Sequence, residues 1–294
     1  MQKIVPHLWY DKEAVEAAKW YVSLFENSKI EWISKLYDTP SGDVDTVAFS
    51  LAGMEFQAIS AGSYFEFTPA ISIMVSCSSE SEVNKLYAEL SKGGSDLMPL
   101  GEYPFSKRYA WLSDRYGLNW QLYFTEAENV PKIRPCLLFS LDNCGKADEG
   151  LLFYQEVFHG SEIGFVSRYE TGQAPDDRAI INYAEFLFKS GMAFVVMDHG
   201  AGGESSFNEA FSFMINCSDQ SEIDYYWKML SDVPEAEQCG WVKDKFGLSW
   251  QIVPETMAAF YKDVDEETSR RVTQTFLKMK KIVISDLEAV RDNR

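Results

Sequence analysis

The chain has 294 residues, 46% hydrophobic and 15% aromatic, which is enough apolar material for two ordinary cores and argues against disorder. A formal net charge of −18 argues against nucleic acid as a partner, because phosphate binding needs a basic face. No apolar run approaches the ~20 residues of a membrane-spanning helix, and the start at Met1 lacks the apolar core of a signal peptide.

Along the chain, a short apolar strand over Ile4–Tyr10 leads into a helical pattern. Ala14, Ala17, Ala18, Tyr21, Leu24 and Phe25 fall at 3.6-residue spacing, and the pattern stops at Asn27 and Ser28. Three strand-like runs follow, Ile30–Tyr37, Val44–Leu51 and Met54–Ile59, with turn residues at Thr39–Gly42 and Ala52–Gly53. The order then restarts with a strand at Ala70–Cys77 and a helix at Glu80–Leu90. Gly93 and Gly94 break that helix, and further strands reach Arg108–Leu112 and Leu118–Phe124. One stretch of about 125 residues thus reads βαβββ twice.

The whole stretch is then repeated. Trp111, Asp114, Gly117, Leu118, Trp120 and Gln121 return in the same spacing as Trp241, Asp244, Gly247, Leu248, Trp250 and Gln251, and Lys3 and Pro6 return as Lys132 and Pro135. The second copy has a helix at Leu151–Phe158 and then His159 and Gly160. Asn27 and Gly160 share one slot, and both tolerate the left-handed conformation that closes a helix; His159 reads as a charge against the helix dipole. The stretch from Cys217 to Trp241 is shorter than that from Cys77 to Trp111, so a strand or its loops must be trimmed there. Beyond Pro254, Phe276, Leu277, Ile282, Ile284, Leu287 and Val290 suggest a helix that docks on a domain.

Period-2 alternation assigns strand faces. Leu118, Trp120, Leu122 and Phe124 form an apolar, helix-packed side, leaving Asn119, Gln121 and Tyr123 on the other. By the same reasoning Glu55, Gln57 and Ile59 oppose Met54, Phe56 and Ala58, and Ala70, Ser72 and Met74 oppose Ile71, Ile73 and Val75. Asp114 and Asp244 read as closing hairpins through Asx-type turns. Trp120 and Trp250 read as core, while Trp111 and Trp241 could line a cavity. Asp198 and His199, beside the Gly-rich run Gly200 to Gly203, are either a proton-transfer pair or a strand-end turn, and the turn is expected. The run has no phosphate-binding fingerprint. Five cysteines (Cys77, Cys136, Cys144, Cys217, Cys239) show no CxxC and no even framework. Buried thiols in a cytoplasmic protein are therefore expected.

Paired βαβββ units ending in Asp-x-x-Gly-Leu-x-Trp-Gln resemble the PhnB-like (3-demethylubiquinone methyltransferase-like) branch of the glyoxalase/bleomycin-resistance/dioxygenase, or vicinal oxygen chelate, superfamily. The resemblance covers about residues 3–124 and 132–254, and the tail from Leu277 to Leu287 also resembles that family's C-terminal extension. It implies an α+β fold of tandem glyoxalase-like domains, each of two βαβββ modules forming a curled mixed sheet with helices outside. The domains fall at 1–127 and 128–256, with a C-terminal helical extension at 257–294. Metal enzymes of the superfamily place His or Glu at inward positions of the first, fourth, fifth and eighth strands. Carried over, those slots hold Pro6, Gln57, Ala70 and Gln121 in copy one, and Pro135, Val195, Ala210 and Gln251 in copy two. A one-residue slip in the first strand would put His7, and in copy two Cys136, inside instead.

Neutral amides are poor ligands for divalent metals, so no metal or other cofactor is expected. No parallel α/β pattern supports S-adenosylmethionine binding. The expected function is a metal-free small-molecule-binding protein. Its candidate ligand-binding residues are Glu55, Gln57, Ser72, Asn119, Gln121, Tyr123 and Gln251, with His7, Asp198 and His199 as weaker candidates. The more polar copy one is the expected home of the ligand. The alternative is a lyase, isomerase or dioxygenase acting on a small oxygenated substrate. A small molecule is the expected partner, with no nucleic acid and no membrane, and a homodimer is left open. Whether the cups form within a repeat, between repeats or between chains is not fixed by the sequence.

Overall fold

The computed structural model describes residues 2–201, 205–261 and 264–292. The first repeat folds as β1 (Ile4–Tyr10), α1 (Ala14–Leu24), β2 (Lys29–Thr39), β3 (Gly42–Leu51) and β4 (Met54–Ser60), then β5 (Ile71–Cys77), α2 (Glu80–Leu90), β6 (Ser95–Tyr103), β7 (Ser106–Ser113) and β8 (Asn119–Phe124). The second gives β9 (Ile133–Phe139), α3 (Ala147–Val157), β10 (Glu162–Arg168), β11 (Ile181–Leu187) and β12 (Ala193–Asp198). It continues with β13 (Phe211–Cys217), α4 (Gln220–Leu230), β14 (Trp241–Lys243) and β15 (Ser249–Pro254). The trimmed segment is the counterpart of β6: between α4 and β14 the chain makes only a short 3-10 turn, Pro234–Ala236. Asn27 (φ 52°) and Gly160 (φ 79°) follow α1 and α3 in the left-handed conformation, as their residue types suggested.

The strands form two mixed sheets, and neither sheet is one repeat. The seven-stranded sheet runs β14-β15-β13-β1-β4-β3-β2, and the eight-stranded sheet β10-β11-β12-β9-β5-β8-β7-β6. Each repeat is therefore divided: the first half of one pairs with the second half of the other. The compact units follow the sheets. Unit 1 comprises Met1–Glu66 with Asn208–Arg294, and unit 2 comprises Phe67–Phe207. The sequence repeats at 1–127 and 128–256 are thus not the spatial units, and the cups form between repeats.

At each junction two first-position strands meet antiparallel, with His7 opposite Ser212 in unit 1 and Cys136 opposite Ser72 in unit 2. Helices cover one face of each sheet: in unit 1, Ala14, Ala17, Ala18 and Tyr21 of α1, which their spacing marked, and Ile223, Tyr226 and Leu230 of α4. In unit 2, Val83, Leu86 and Leu90 of α2 do the same. Ser79 and Asp219 cap α2 and α4 by accepting the backbone N–H of Glu82 and Glu222.

The repeated Asp-x-x-Gly-Leu-x-Trp-Gln motif is a folding device. Asp114 accepts the N–H groups of Tyr116 (2.8 Å) and Leu118 (3.2 Å) with one oxygen and the Trp120 indole N–H (2.8 Å) with the other. Asp244 does the same for Phe246 (2.9 Å), Leu248 (3.1 Å) and Trp250 (2.9 Å). One buried carboxylate thus closes the turn and orients the largest core side chain, which leaves the following Gln on the opposite face. After β15 the tail forms α5 (Glu266–Phe276) and α6 (Ile284–Arg291). Arg270 of α5 pairs with Asp38 and lies 4.7 Å from the Tyr37 ring centre, which fastens the tail to β2. No helix among the described residues is long and apolar enough to cross a membrane.

Candidate functional site

In unit 1 the ladder registers put His7 beside both Ser212 and Gln57, and Gln251 beside both Met214 and Trp241. These residues share the face away from the helices. Pro6 lies opposite Phe213, whose other neighbour is Trp250, so Pro6 faces the helix-packed core. Pro135 likewise lies opposite Ile73, whose neighbour is Trp120. The inward assignments of Pro6 and Pro135 are therefore corrected by one residue, to His7 and Cys136. The corresponding fifth-strand positions beside them are Ser212 and Ser72 rather than Ala210 and Ala70. The matching groups are His7, Gln57, Ser212 and Gln251 in unit 1, and Cys136, Val195, Ser72 and Gln121 in unit 2.

In unit 1, Gln251 Nε2 donates to Ser212 Oγ at 2.9 Å. His7 is buried, and burial lowers its imidazole to a pKa of about 3, so the ring is neutral. Its Nδ1 has no hydrogen-bond partner among the described residues. Trp241 meets it edge-on at 5.9 Å between ring centres. Trp9, two residues along β1 on the same face, lies 6.2 Å from Trp241 and 5.1 Å from Phe65. The Trp9 indole is pinned by donating to the Gly62 carbonyl at 2.7 Å. Glu55 belongs to a different feature, a polar cleft of about 330 Å³ that it lines with Asn27, Lys29, Glu31 and Ser50.

In unit 2, Gln121 donates to Ser72 Oγ and accepts from Tyr109, both at 2.8 Å, so both ends of its amide are engaged. Asn119 is buried and donates to the Gly117 carbonyl at 3.1 Å, leaving its Oδ1 without a partner among the described residues. Cys136 sits in a cluster with Met74 and Val195, flanked by Tyr123, Tyr183 and Met197, and burial pushes its thiol up to about 12. Trp111, beside Gln121 on the ladder, faces His199 with ring centres 6.3 Å apart. Asp198 is wholly buried. One oxygen accepts from Gly145 (2.7 Å) and Ala147 (3.2 Å), the other from Ile180 (3.0 Å) and Ile181 (2.9 Å). Four backbone donors occupy the carboxylate, so Asp198 is a strand-end staple. Of the Gly-rich run beside it, Gly202 and Gly203 lie outside the described residues.

The candidates chosen from the sequence thus belong to two places. Gln57, Gln251 and His7 lie in unit 1, and Ser72, Asn119, Gln121 and Tyr123 in unit 2. Copy one does not supply a single cup.

Sequence reasoning missed Arg134. It stands on β9 beside Met74, is 1% exposed, and pairs with Glu185 at 2.7 Å. It also donates to the hydroxyls of Tyr183 (2.9 Å) and Tyr123. The signal was available: a lone charge in the otherwise uncharged run from Ile133 to Phe139 has to be paired if the strand is buried. Among the described residues, no group of three or more His, Cys, Asp or Glu is placed to hold a metal.

A model of the 3-demethylubiquinone-9 3-methyltransferase family matches residues 2–123 and again 131–253. The chain is 41% identical to the PhnB protein from Bacillus cereus, over 42% of this chain and 100% of that one, with a TM-score of 0.39. Glyoxalase I from Zea mays is 11% identical, over 86% of this chain and 94% of that one, at a TM-score of 0.54. A glutamate-to-glutamine mutant of that maize enzyme is 12% identical, over 90% of this chain and 97% of that one, at 0.55. These last two likenesses concern the fold. No curated protein matches the chain. With the family's domain present twice, on the glyoxalase fold, this chain belongs to the PhnB-like, 3-demethylubiquinone-9 3-methyltransferase family.

Proposed function

We propose that this is a metal-free small-molecule-binding protein that uses the helix-free faces of its two sheets. The observation that carries this reading is the make-up of the two matching groups. Unit 1 offers one imidazole, two amides and a hydroxyl; unit 2 offers a thiol kept protonated by burial, a Val, a hydroxyl and an amide. A divalent cation wants several carboxylates, imidazoles or thiolates. A single neutral imidazole beside amides suits hydrogen bonding to a neutral group, and the rings of Trp9 and Trp241 offer apolar area beside it.

The residues do not fit S-adenosylmethionine chemistry either. Both sheets are mixed, and each antiparallel junction of first-position strands occupies the centre, where a parallel α/β fold would open its crevice. The alternative, a lyase, isomerase or dioxygenase, needs a proton-transfer pair or a metal, and Asp198 is already consumed by backbone. Buried free thiols at all five cysteines support a cytoplasmic setting for this reading.

Native mass spectrometry of protein purified without chelator, compared with the denatured sample, tests the proposal. An organic metabolite released on denaturation supports it, and a stoichiometric metal overturns it. If a metabolite is found, Gln251→Leu and Trp241→Ala weaken its binding at least tenfold if it sits in unit 1.

A further inference from the structure

The Arg134 cluster is unlike anything at the matching place in unit 1. The two sheets can be superposed by register. Met74 pairs with Arg134 as Met214 pairs with Val5, and Val195 pairs with Glu185 as Gln57 pairs with Ala48. Tyr123 follows Gln121 by two residues, as Val253 follows Gln251. So Arg134, Glu185 and Tyr123 stand where unit 1 has Val5, Ala48 and Val253, all buried. Unit 1 builds the same strands with apolar residues at these places, so the fold does not need the charges. A buried ion pair is generally no more stabilising than well-packed apolar side chains, so stability does not account for this one.

The geometry of the pair indicates its function. Arg134 is 1% exposed, whereas the Glu185 side chain is 26% exposed, so the carboxylate lies on the solvent side of the guanidinium. A guanidinium offers five N–H donors in a fork suited to both oxygens of one carboxylate. Among the described residues only Oε1 of Glu185 is engaged, and it is shared between Arg134 and the Tyr183 hydroxyl at 3.0 Å. The remaining donors meet two phenol oxygens and the Met74 sulfur at 3.9 Å, and Nε has no partner among the described residues. The guanidinium is thus buried but incompletely matched. Around it, Met74, Cys136, Val195 and Met197 provide an apolar wall.

We propose that unit 2 binds a small carboxylate with an apolar body, whose carboxylate takes the place of Glu185 on Arg134. Glu185 is a placeholder: it balances the guanidinium until a ligand arrives and then turns toward water. The exchange keeps the interior neutral, so an anion enters without leaving an unpaired charge, while a neutral or cationic analogue gains no such partner. This deepens the small-molecule reading and rests on it.

The test uses the full chain with benzoate, benzamide and benzylamine as probes of one shape and three charges, titrated by calorimetry or ligand-observed NMR. Benzoate is expected to bind at least tenfold more tightly than the other two. Arg134→Met combined with Glu185→Leu, which makes these places apolar as they are in unit 1, should abolish the preference while keeping the urea midpoint of the parent. Glu185→Gln keeps the shape but removes the competing charge, and should tighten benzoate at least tenfold. Equal binding of all three probes would overturn the carboxylate assignment and leave small-molecule binding standing. Unchanged benzoate affinity in Glu185→Gln, or cooperative folding lost in the double variant, would show the pair to be structural and overturn the proposal.

Discussion

The Lys132 ammonium reaches the Glu82 carboxylate at 2.5 Å, tying the first strand of the second repeat to a helix of the first; Lys3 and Glu222 form the matching tie, also 2.5 Å, in unit 1. Each lysine also donates to a backbone carbonyl of the strand beside it, at Ser76 and Asn216, both 2.7 Å. The two ion pairs mark the joints at which half of one repeat meets half of the other.

Glu82→Gln should therefore cost about 0.5–1 kcal/mol, because the pair is only part-buried and screened by water. Burial pushes the Glu82 pKa up, but Lys132 and the Ser78 N–H outweigh it, so the net shift from 4.5 is downward. A lowered carboxylate contributes stability above its unfolded pKa and loses it as pH falls. Urea midpoints of the parent and Glu82→Gln should accordingly converge below about pH 4.5 and separate above it. A constant gap across that range would show that the charge is not what the pair contributes.

Asp244→Ala should be among the most destabilising single changes in unit 1. It strips the acceptor from three donors, two backbone and one indole, in a buried turn, at about 1–3 kcal/mol for each that stays dry. We expect a total of about 3–5 kcal/mol in chemical denaturation, with Trp250→Phe costing less because it leaves the turn intact. The reverse order would mean that indole packing, not the carboxylate, holds the hairpin.

Asp198→Ala is expected to cost about 3–4 kcal/mol, for the four N–H groups it accepts, and His199→Ala less than about 1 kcal/mol. Thermal melts of the two variants decide the matter. Near-equal losses would argue that the pair acts together after all.

His7 makes unit 1 sensitive to acid. Its folded pKa of about 3 lies below the unfolded value of 6.5, so between those limits the unfolded chain holds the extra proton. Stability falls as pH drops from 6.5 toward 3, by at most about 1.4 kcal/mol per pH unit from this one group. His7→Phe should flatten that part of the profile. An identical slope in parent and variant would assign the acid sensitivity to the carboxylates instead.

Much of this architecture was legible in the sequence, for identifiable reasons. Strands whose two faces differ in residue type carry a clean polar–apolar alternation, and the inward placement of Gln57, Gln121, Tyr123 and Ser72 followed from it. β1 and β9 are buried on both faces at the centre of their sheets, so alternation carries no signal there and Pro6 and Pro135 were misplaced by one residue. The exchange of halves left no trace either. A first-position strand meets the same apolar ladder whether its partner comes from its own repeat or the other, since β5 and β13 are alike: Ser72 and Met74 match Ser212 and Met214. Arg134 was passed over because a strand reading weighs the apolar majority, while a single buried charge reveals its meaning only once Glu185 is seen across the sheet.

The division of each repeat between two sheets bears on how the protein would behave if it were cut. A single repeat contains two half-sheets with central edges β1 and β5, and β5 carries Ser72 and Met74 where β13, the present partner of β1, carries Ser212 and Met214. Freed from the tandem arrangement, it would either close on itself or exchange halves with an identical copy, and the balance would depend on dilution. Covalent linkage makes the second encounter intramolecular, at a high effective concentration, and so removes that dependence. It also frees the two cups to diverge, because each residue change is expressed in one cup only: a symmetric pair built from one short gene could not hold Arg134 on one side and Val5 on the other.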